Sequence, residues 1–207
     1  MFTGIARGAF PVRRVARDPG LLRYSVDLGP RLTDGLVVGA SVAIDGVCQT
    51  VVAVDGGLVS FEAIQETLDR TTLNGLREGD RVNVERSLRA GDEIGGHEVS
   101  GHVSATGEVR RVRADGNVRD LRIACAPDAL RYVMPKGFVG VHGCSLTVGE
   151  VHTDGFDVHL IPETLRLTNL GEKKAGDRVN LEWDARTVAI VETVERVLAR
   201  RGVKGGA

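Results

Sequence analysis

The chain has 207 residues, with 27 Lys and Arg against 28 Asp and Glu, a balance that leaves no broad basic field to hold a nucleic-acid polymer. Hydrophobic residues make up 42% of it, enough for a proper core, but no run approaches the ~18 apolar residues of a bilayer-spanning helix. The opening MFTGIARGAF lacks the order of a signal peptide, and Cys48, Cys125 and Cys144 form neither a Cys-x-x-Cys pair nor a disulfide framework. The expectation is a cytoplasmic protein with reduced thiols and neither membrane nor nucleic acid as partner.

Glycine is frequent, 27 of 207, which predicts many tight turns. Between the turns lie short valine-rich or alternating runs. In chain order these are SVAIDGVCQTVVAV, LVSFEAI, RVNVERS, HVSATGEVRRV, SLTVGEV and FDVHLI. They read as strands at the spacing of a small sandwich or barrel.

An internal repeat settles the organisation. ETLDRTTLNGLREGDRVNVERS, from Glu66, aligns without gaps on ETLRLTNLGEKKAGDRVNLEWD, from Glu163, with 11 identities in 22 positions at an offset of 97. At the same offset DGVCQTV meets HGCSLTV, and TGIA meets SGHV. A period this long is a whole small domain. The fold expected is all-β, two tandem barrels over residues 1–97 and 98–184. Residues 185–207 remain, and in them Ile190, Val191, Val194, Val197 and Leu198 recur at helical spacing. Their stripe docks either on its own barrel or on the same helix of another subunit.

The five histidines all fall from residue 97 onward, but His97 and His102 are five apart. An odd spacing along a strand puts them on opposite faces, so no metal site is expected. Gly-x-Gly-x-x-Gly, Gly-Lys-Ser/Thr and Gly-x-Ser-x-Gly motifs are absent. What the repeat does pair is Cys48 with Ser145, Thr50 with Thr147, and Thr67 with Thr164. Each copy thus offers a thiol or hydroxyl beside a second hydroxyl on one strand face. This is either a pocket wall or ordinary strand packing.

These segments, with MFTGI, EIGGHEVSGHV, KGFVGVHGCSLTVGEV and HLIPETL, resemble the riboflavin synthase alpha-chain family over nearly the whole chain. The resemblance implies two six-stranded Greek-key barrels and a C-terminal helix that assembles a homotrimer. It implies dismutation of two 6,7-dimethyl-8-ribityllumazine molecules by four-carbon transfer, giving riboflavin and 5-amino-6-ribitylamino-uracil, with no metal or other cofactor. The donor loses a C7-methyl proton and the acceptor is activated at C6.

The ligand contacts it implies in the first barrel are Phe2, Gly4, Ile5 and Ala6, then Cys48, Gln49 and Thr50, then Glu62, Ala63, Ile64, Gln65, Glu66 and Thr67. In the second they are Gly101, His102 and Val103, then Ser145, Leu146 and Thr147, then His159, Leu160, Ile161, Pro162, Glu163 and Thr164, with Lys136 reaching a neighbouring subunit's ligand. For catalysis it implies Ser145 and Thr147, with Cys48 and Ser41 of the facing barrel, around the nucleophile. His102 is the expected proton carrier, because imidazole titrates nearest neutral pH. Asp184 either assists by a hydrogen bond or caps the terminal helix. His142, where the family commonly has an acid, and Gln49, where a leucine is common, are departures. A carrier that only holds a lumazine or flavin is the rival reading, and retention of Ser145, Thr147 and Lys136 favours the enzyme.

Overall fold

The computed structural model describes residues 1–202. Residues 203–207 of the terminal segment lie outside the described residues. Strands β1 (Gly8–Asp18), β2 (Leu21–Asp27), β3 (Ser41–Ile44), β4 (Val47–Asp55), β5 (Leu58–Ile64) and β6 (Arg81–Arg86) close into a barrel in the order β1-β2-β5-β4-β3-β6. Strands β7 (Ala105–Asp115), β8 (Val118–Ala124), β9 (Phe138–Val141), β10 (Cys144–His152), β11 (Gly155–Leu160) and β12 (Arg178–Trp183) close a second in the same cyclic order. Helix α1 (Gly29–Thr33) follows β2, α2 (Gln65–Arg70) follows β5, α3 (Pro162–Leu167) follows β11, and α4 (Ala185–Arg200) ends the described chain. Each barrel has its own core. Leu22, Tyr24, Val59 and Phe61 lie in the first, and Leu121, Ile123, Phe156 and Val158 in the second.

The repeated motifs have distinct structural duties. In ETLDRT and ETLRLT the final threonine receives the N–H of Leu73 or Leu170 at 3.3 Å and donates its hydroxyl to the carbonyl of Thr67 or Thr164 at 2.7 Å. This stops α2 and α3 and starts the turn beyond. In the two GDRVN segments the aspartate ties that turn, Asp80 receiving Arg77 N–H at 2.8 Å and Asp177 receiving Lys174 N–H at 2.7 Å.

The asparagines cross between barrels. Asn83 donates to the His142 carbonyl at 2.9 Å, and Asn180 to the Asp45 carbonyl at 2.8 Å. The glutamates two positions on hold the segments ahead of each barrel. Glu85 receives the Thr3 N–H, the Thr3 hydroxyl and the Gly4 N–H at 2.7 to 2.9 Å, and Glu182 receives the equivalent groups of Ser100 and Gly101 at 2.6 to 3.0 Å.

Those two leading segments meet on the pseudo-twofold axis, where Phe2 and Val99 exchange N–H to carbonyl bonds of 2.7 and 3.0 Å. Each then lies on the opposite barrel. The Gly4 carbonyl receives Ser145 N–H, and the Gly101 carbonyl receives Cys48 N–H, both at 2.8 Å. Both glycines have positive φ, +73° and +79°. A Cβ on Gly4 would come within 2.6 Å of the Ser145 Cβ, and one on Gly101 within 2.7 Å of the Cys48 Cβ, so only glycine allows this approach.

Helix α4 starts at Asp184, whose carboxylate receives the Thr187 N–H at 2.8 Å. Val188 packs on the second core, and Arg131 and Tyr132 bind Glu192. Val191 and Leu198 are half-buried, while Ile190, Val194 and Val197 stay uncovered at 64%, 50% and 43% exposure.

Candidate functional site

Strand alternation sorts the expected contacts. On β4, Val47, Gln49 and Val51 point inward and are buried, while Cys48 and Thr50 face out. On β10, Cys144, Leu146 and Val148 point inward and Ser145 and Thr147 face out. Ser41 on β3 stands opposite Thr50, so the first barrel presents Ser41, Cys48 and Thr50 as one outer patch. The second presents Phe138, Ser145 and Thr147 in the same register.

Several expected contacts are corrected by this sorting. The Gln49 side chain is inside the first barrel, where it receives the Tyr24 hydroxyl at 3.1 Å, so its polarity is spent in the core and not on a ligand. Leu146, Ala63 and Leu160 are core residues of their barrels. Phe2 is 1% exposed and packs with Ala43 and Val99 beneath Gly101. These five side chains support the wall and do not line it.

Glu62, Ile64, Gln65 and Glu66, and likewise His159, Ile161, Pro162 and Glu163, are exposed, and Thr67 and Thr164 are half-buried. Glu62 pairs with Arg23 at 2.9 Å and His159 with Asp120 at 2.6 Å. Lys136 is exposed at the turn before β9, with positive φ.

A second correction concerns which barrel each leading segment serves. Gly4, Ile5 and Ala6 belong against the second barrel, since Gly4 bonds Ser145 and Ala6 joins the second core. Gly101, His102 and Val103 belong against the first, since Gly101 bonds Cys48 and Val103 packs on the first core. The cause is the crossing at Phe2 and Val99, which the strand pattern does not encode.

The second patch also holds a residue outside the expected set. His97, in the segment between the barrels, places Nδ1 2.6 Å from the Ser145 hydroxyl and stacks on Phe138 with ring centroids 5.2 Å apart. Its backbone N–H is tied to the Thr3 carbonyl at 3.2 Å. Burial lowers its pKa, with Asp184 opposing, so the imidazole is neutral near pH 7 and able to take a proton. It borders an open hollow of about 540 Å³ with Ile94, Phe138 and Asp184. His102 lies elsewhere, in a hollow along α4 with Glu182 and Trp183. Asp184 is the helix cap, and that role accounts for the hydrogen bonds its carboxylate makes.

Among the described residues one cluster has metal-like donors, Glu150, His152 and Asp157. Arg122 occupies it, bonding both Asp157 oxygens at 2.9 and 3.3 Å and lying 2.7 Å from His152 Nε2. A guanidinium already supplies the positive charge there.

Fold and site together define a protein of two tandem lumazine-binding-type barrels, and the lumazine binding domain family matches residues 3–87 and 100–184. Riboflavin synthase of Escherichia coli (strain K12) is 48% identical over 202 residues, covering 97% of this chain and 95% of that protein. The riboflavin synthase of Chlamydia pneumoniae is 40% identical, covering 98% and 99%. Among solved structures, LumP complexed with riboflavin superposes with a TM-score of 0.83 at 23% identity, covering 89% of this chain and all of that one. LumP complexed with 6,7-dimethyl-8-(1'-D-ribityl) lumazine gives 0.80 at 23%. The chain belongs to the riboflavin synthase family.

Proposed function

We propose that the chain converts two molecules of 6,7-dimethyl-8-ribityllumazine into riboflavin and 5-amino-6-ribitylamino-uracil, with each active site built from two half-sites. The first half-site is Ser41, Cys48 and Thr50 with the Gly101–His102 segment. The second is Ser145, Thr147 and His97 with the Gly4–Ile5 segment. The observation that carries this reading is the outward pairing of Cys48 with Ser145 at equivalent positions, each under a glycine of the opposite leading segment.

Two like half-sites suit two like substrates. Holding both rings in reacting geometry supplies about 7–11 kcal/mol of the barrier, so side-chain chemistry can be modest. The neutral His97 accepts the proton of the Ser145 hydroxyl, or of a water beside it, as that oxygen adds to the acceptor lumazine. His102 serves the other half-site as proton carrier for the C7 methyl of the donor. Asp184 keeps the α4 terminus in place beside His97.

The half-sites face outward on separate barrels, and in this reading they meet between copies. The uncovered stripe of α4 supports assembly, and a homotrimer places each first barrel against a neighbour's second. Lys136, exposed at a turn, reaches the neighbour's ribityl chain in that arrangement. The three unpaired thiols fit a reducing cytoplasm.

Incubation with the lumazine and no added cofactor tests the reading. Riboflavin fluorescence should appear at one product per two lumazines consumed. Binding without turnover would contradict it and leave a carrier.

A further inference from the structure

At the base of the first barrel a hollow of about 250 Å³ is lined by Arg7, Arg31, Arg86 and Arg89, with Asp34 and Asp92. The guanidiniums outnumber the carboxylates. Arg86 is the structural member, donating to the carbonyls of Leu32 and Asp34 at 3.2 and 2.7 Å and so fixing the loop that forms one wall. Asp92 receives the Arg89 backbone N–H at 2.8 Å, which closes the opposite wall. The side chains of Arg7, Arg31 and Arg89 make no hydrogen bond or ion pair among the described residues.

The repeat sharpens the point. At the offset of 97 the counterparts of Arg7, Arg31 and Arg86 are Ser104, Asp128 and Trp183. Only Arg89 has a basic counterpart, Arg186, and that residue reaches Glu98 at 3.9 Å. The basic hollow is therefore not part of the duplicated barrel plan. Four guanidiniums gathered about two carboxylates, with Glu85 also acting on Arg7, repel one another, and an anion relieves that repulsion. Burial chiefly, and then Arg89, lower the Arg86 pKa, with Asp34 opposing. Forked guanidinium donors match the oxygens of a tetrahedral oxyanion.

We propose that this hollow binds a phosphate group, carried by inorganic phosphate or by a small phosphate monoester. The site adjoins the first half-site, since Ser87 donates its N–H to the Ser41 carbonyl at 3.3 Å and Arg7 follows Ala6. An occupant would therefore sit beside the Ser41–Thr50 wall.

The test is titration of the full-length protein with inorganic phosphate and, separately, with ribose 5-phosphate, at ionic strength held constant with chloride, followed by backbone amide shifts. Saturable shifts confined to the α1–β3 loop and the segment after β6 are expected. The Arg31→Ala/Arg89→Ala variant, whose altered side chains hold no partner, should melt like the parent and bind at least tenfold more weakly. Arg186→Ala should bind like the parent. Tighter binding of the ester or of the free ion identifies the source, and either supports the site. No saturable shift with either probe, equal binding by the double variant, or equal loss in Arg186→Ala would overturn it.

Discussion

His97 and Ser145 are joined by a 2.6 Å contact between Nδ1 and the hydroxyl oxygen, with the imidazole ring stacked on Phe138. The ring is thus fixed in plane and direction before any substrate arrives. Replacing His97 with Gln should lower kcat by about 10²–10⁴, the usual worth of a positioned general base, with KM little changed. Burial lowers the His97 pKa, so the acid limb of the wild-type profile should lie below the ordinary imidazole value of about 6.5. That limb should vanish in His97→Gln. Steady-state kinetics across pH checks both points, and an unchanged limb would remove His97 from the mechanism.

Gly4 and Gly101 should be far less tolerant than Gly20. All three have positive φ, but a Cβ at Gly20 meets nothing within 4 Å, while at Gly4 it meets Ser145 at 2.6 Å. Gly20→Ala should cost only the left-handed strain, roughly 1–2 kcal/mol. Gly4→Ala and Gly101→Ala should add an overpacking cost of about 1–3 kcal/mol and depress activity by moving Ser145 or Cys48. Urea denaturation of the three variants measures the difference.

Much of this was legible from the repeat. The turn aspartates, the threonines after the short helices and the alternation at Cys48 and Ser145 all follow from local rules that one copy confirms in the other. Alternation from Cys48 and Ser145 already places the Gln49 and Leu146 side chains inward, in the barrel cores. His97 was missed for a different reason: one offset back from it there is no residue, so the repeat gives it no counterpart. The crossing of Gly4 and Gly101 onto opposite barrels was not legible, because it depends on how two closed barrels pack and not on the pattern within either.

The buried pair of Asp45 and His142, with Oδ2 and Nε2 3.4 Å apart, should tilt stability with pH. Burial raises the Asp45 pKa to about 7, so between the unfolded value near 4 and pH 7 the folded state holds a proton that the unfolded state has lost. That contribution is present at low pH and fades as pH rises through 7. Burial shifts His142 well down, which opposes it by costing stability below about pH 6.5. In Asp45→Asn the first effect is gone. Unfolding free energy at pH 8 minus that at pH 5.5 should therefore increase relative to wild type, by on the order of 2 kcal/mol. An unchanged difference would mean that Asp45 is ionised throughout.

Ile190 and Val194 are 64% and 50% exposed on α4. Substituting both with Glu should leave the fold of a single chain within about 0.5 kcal/mol per site. It should nonetheless dissociate the proposed homotrimer and reduce lumazine turnover in proportion. Sedimentation velocity with activity on the same samples checks this; intact assembly would assign the stripe no role in it.

The most direct measurement is complementation between two inactive proteins, Ser41→Ala/Cys48→Ala and His97→Ala/Ser145→Ala, unfolded together and refolded as mixed oligomers. If each active site joins one chain's first barrel to another chain's second, random mixing leaves roughly a quarter of the interfaces with both halves intact, and riboflavin formation should return to that level. Mixed oligomers as inactive as their parents would contradict an active site shared between copies.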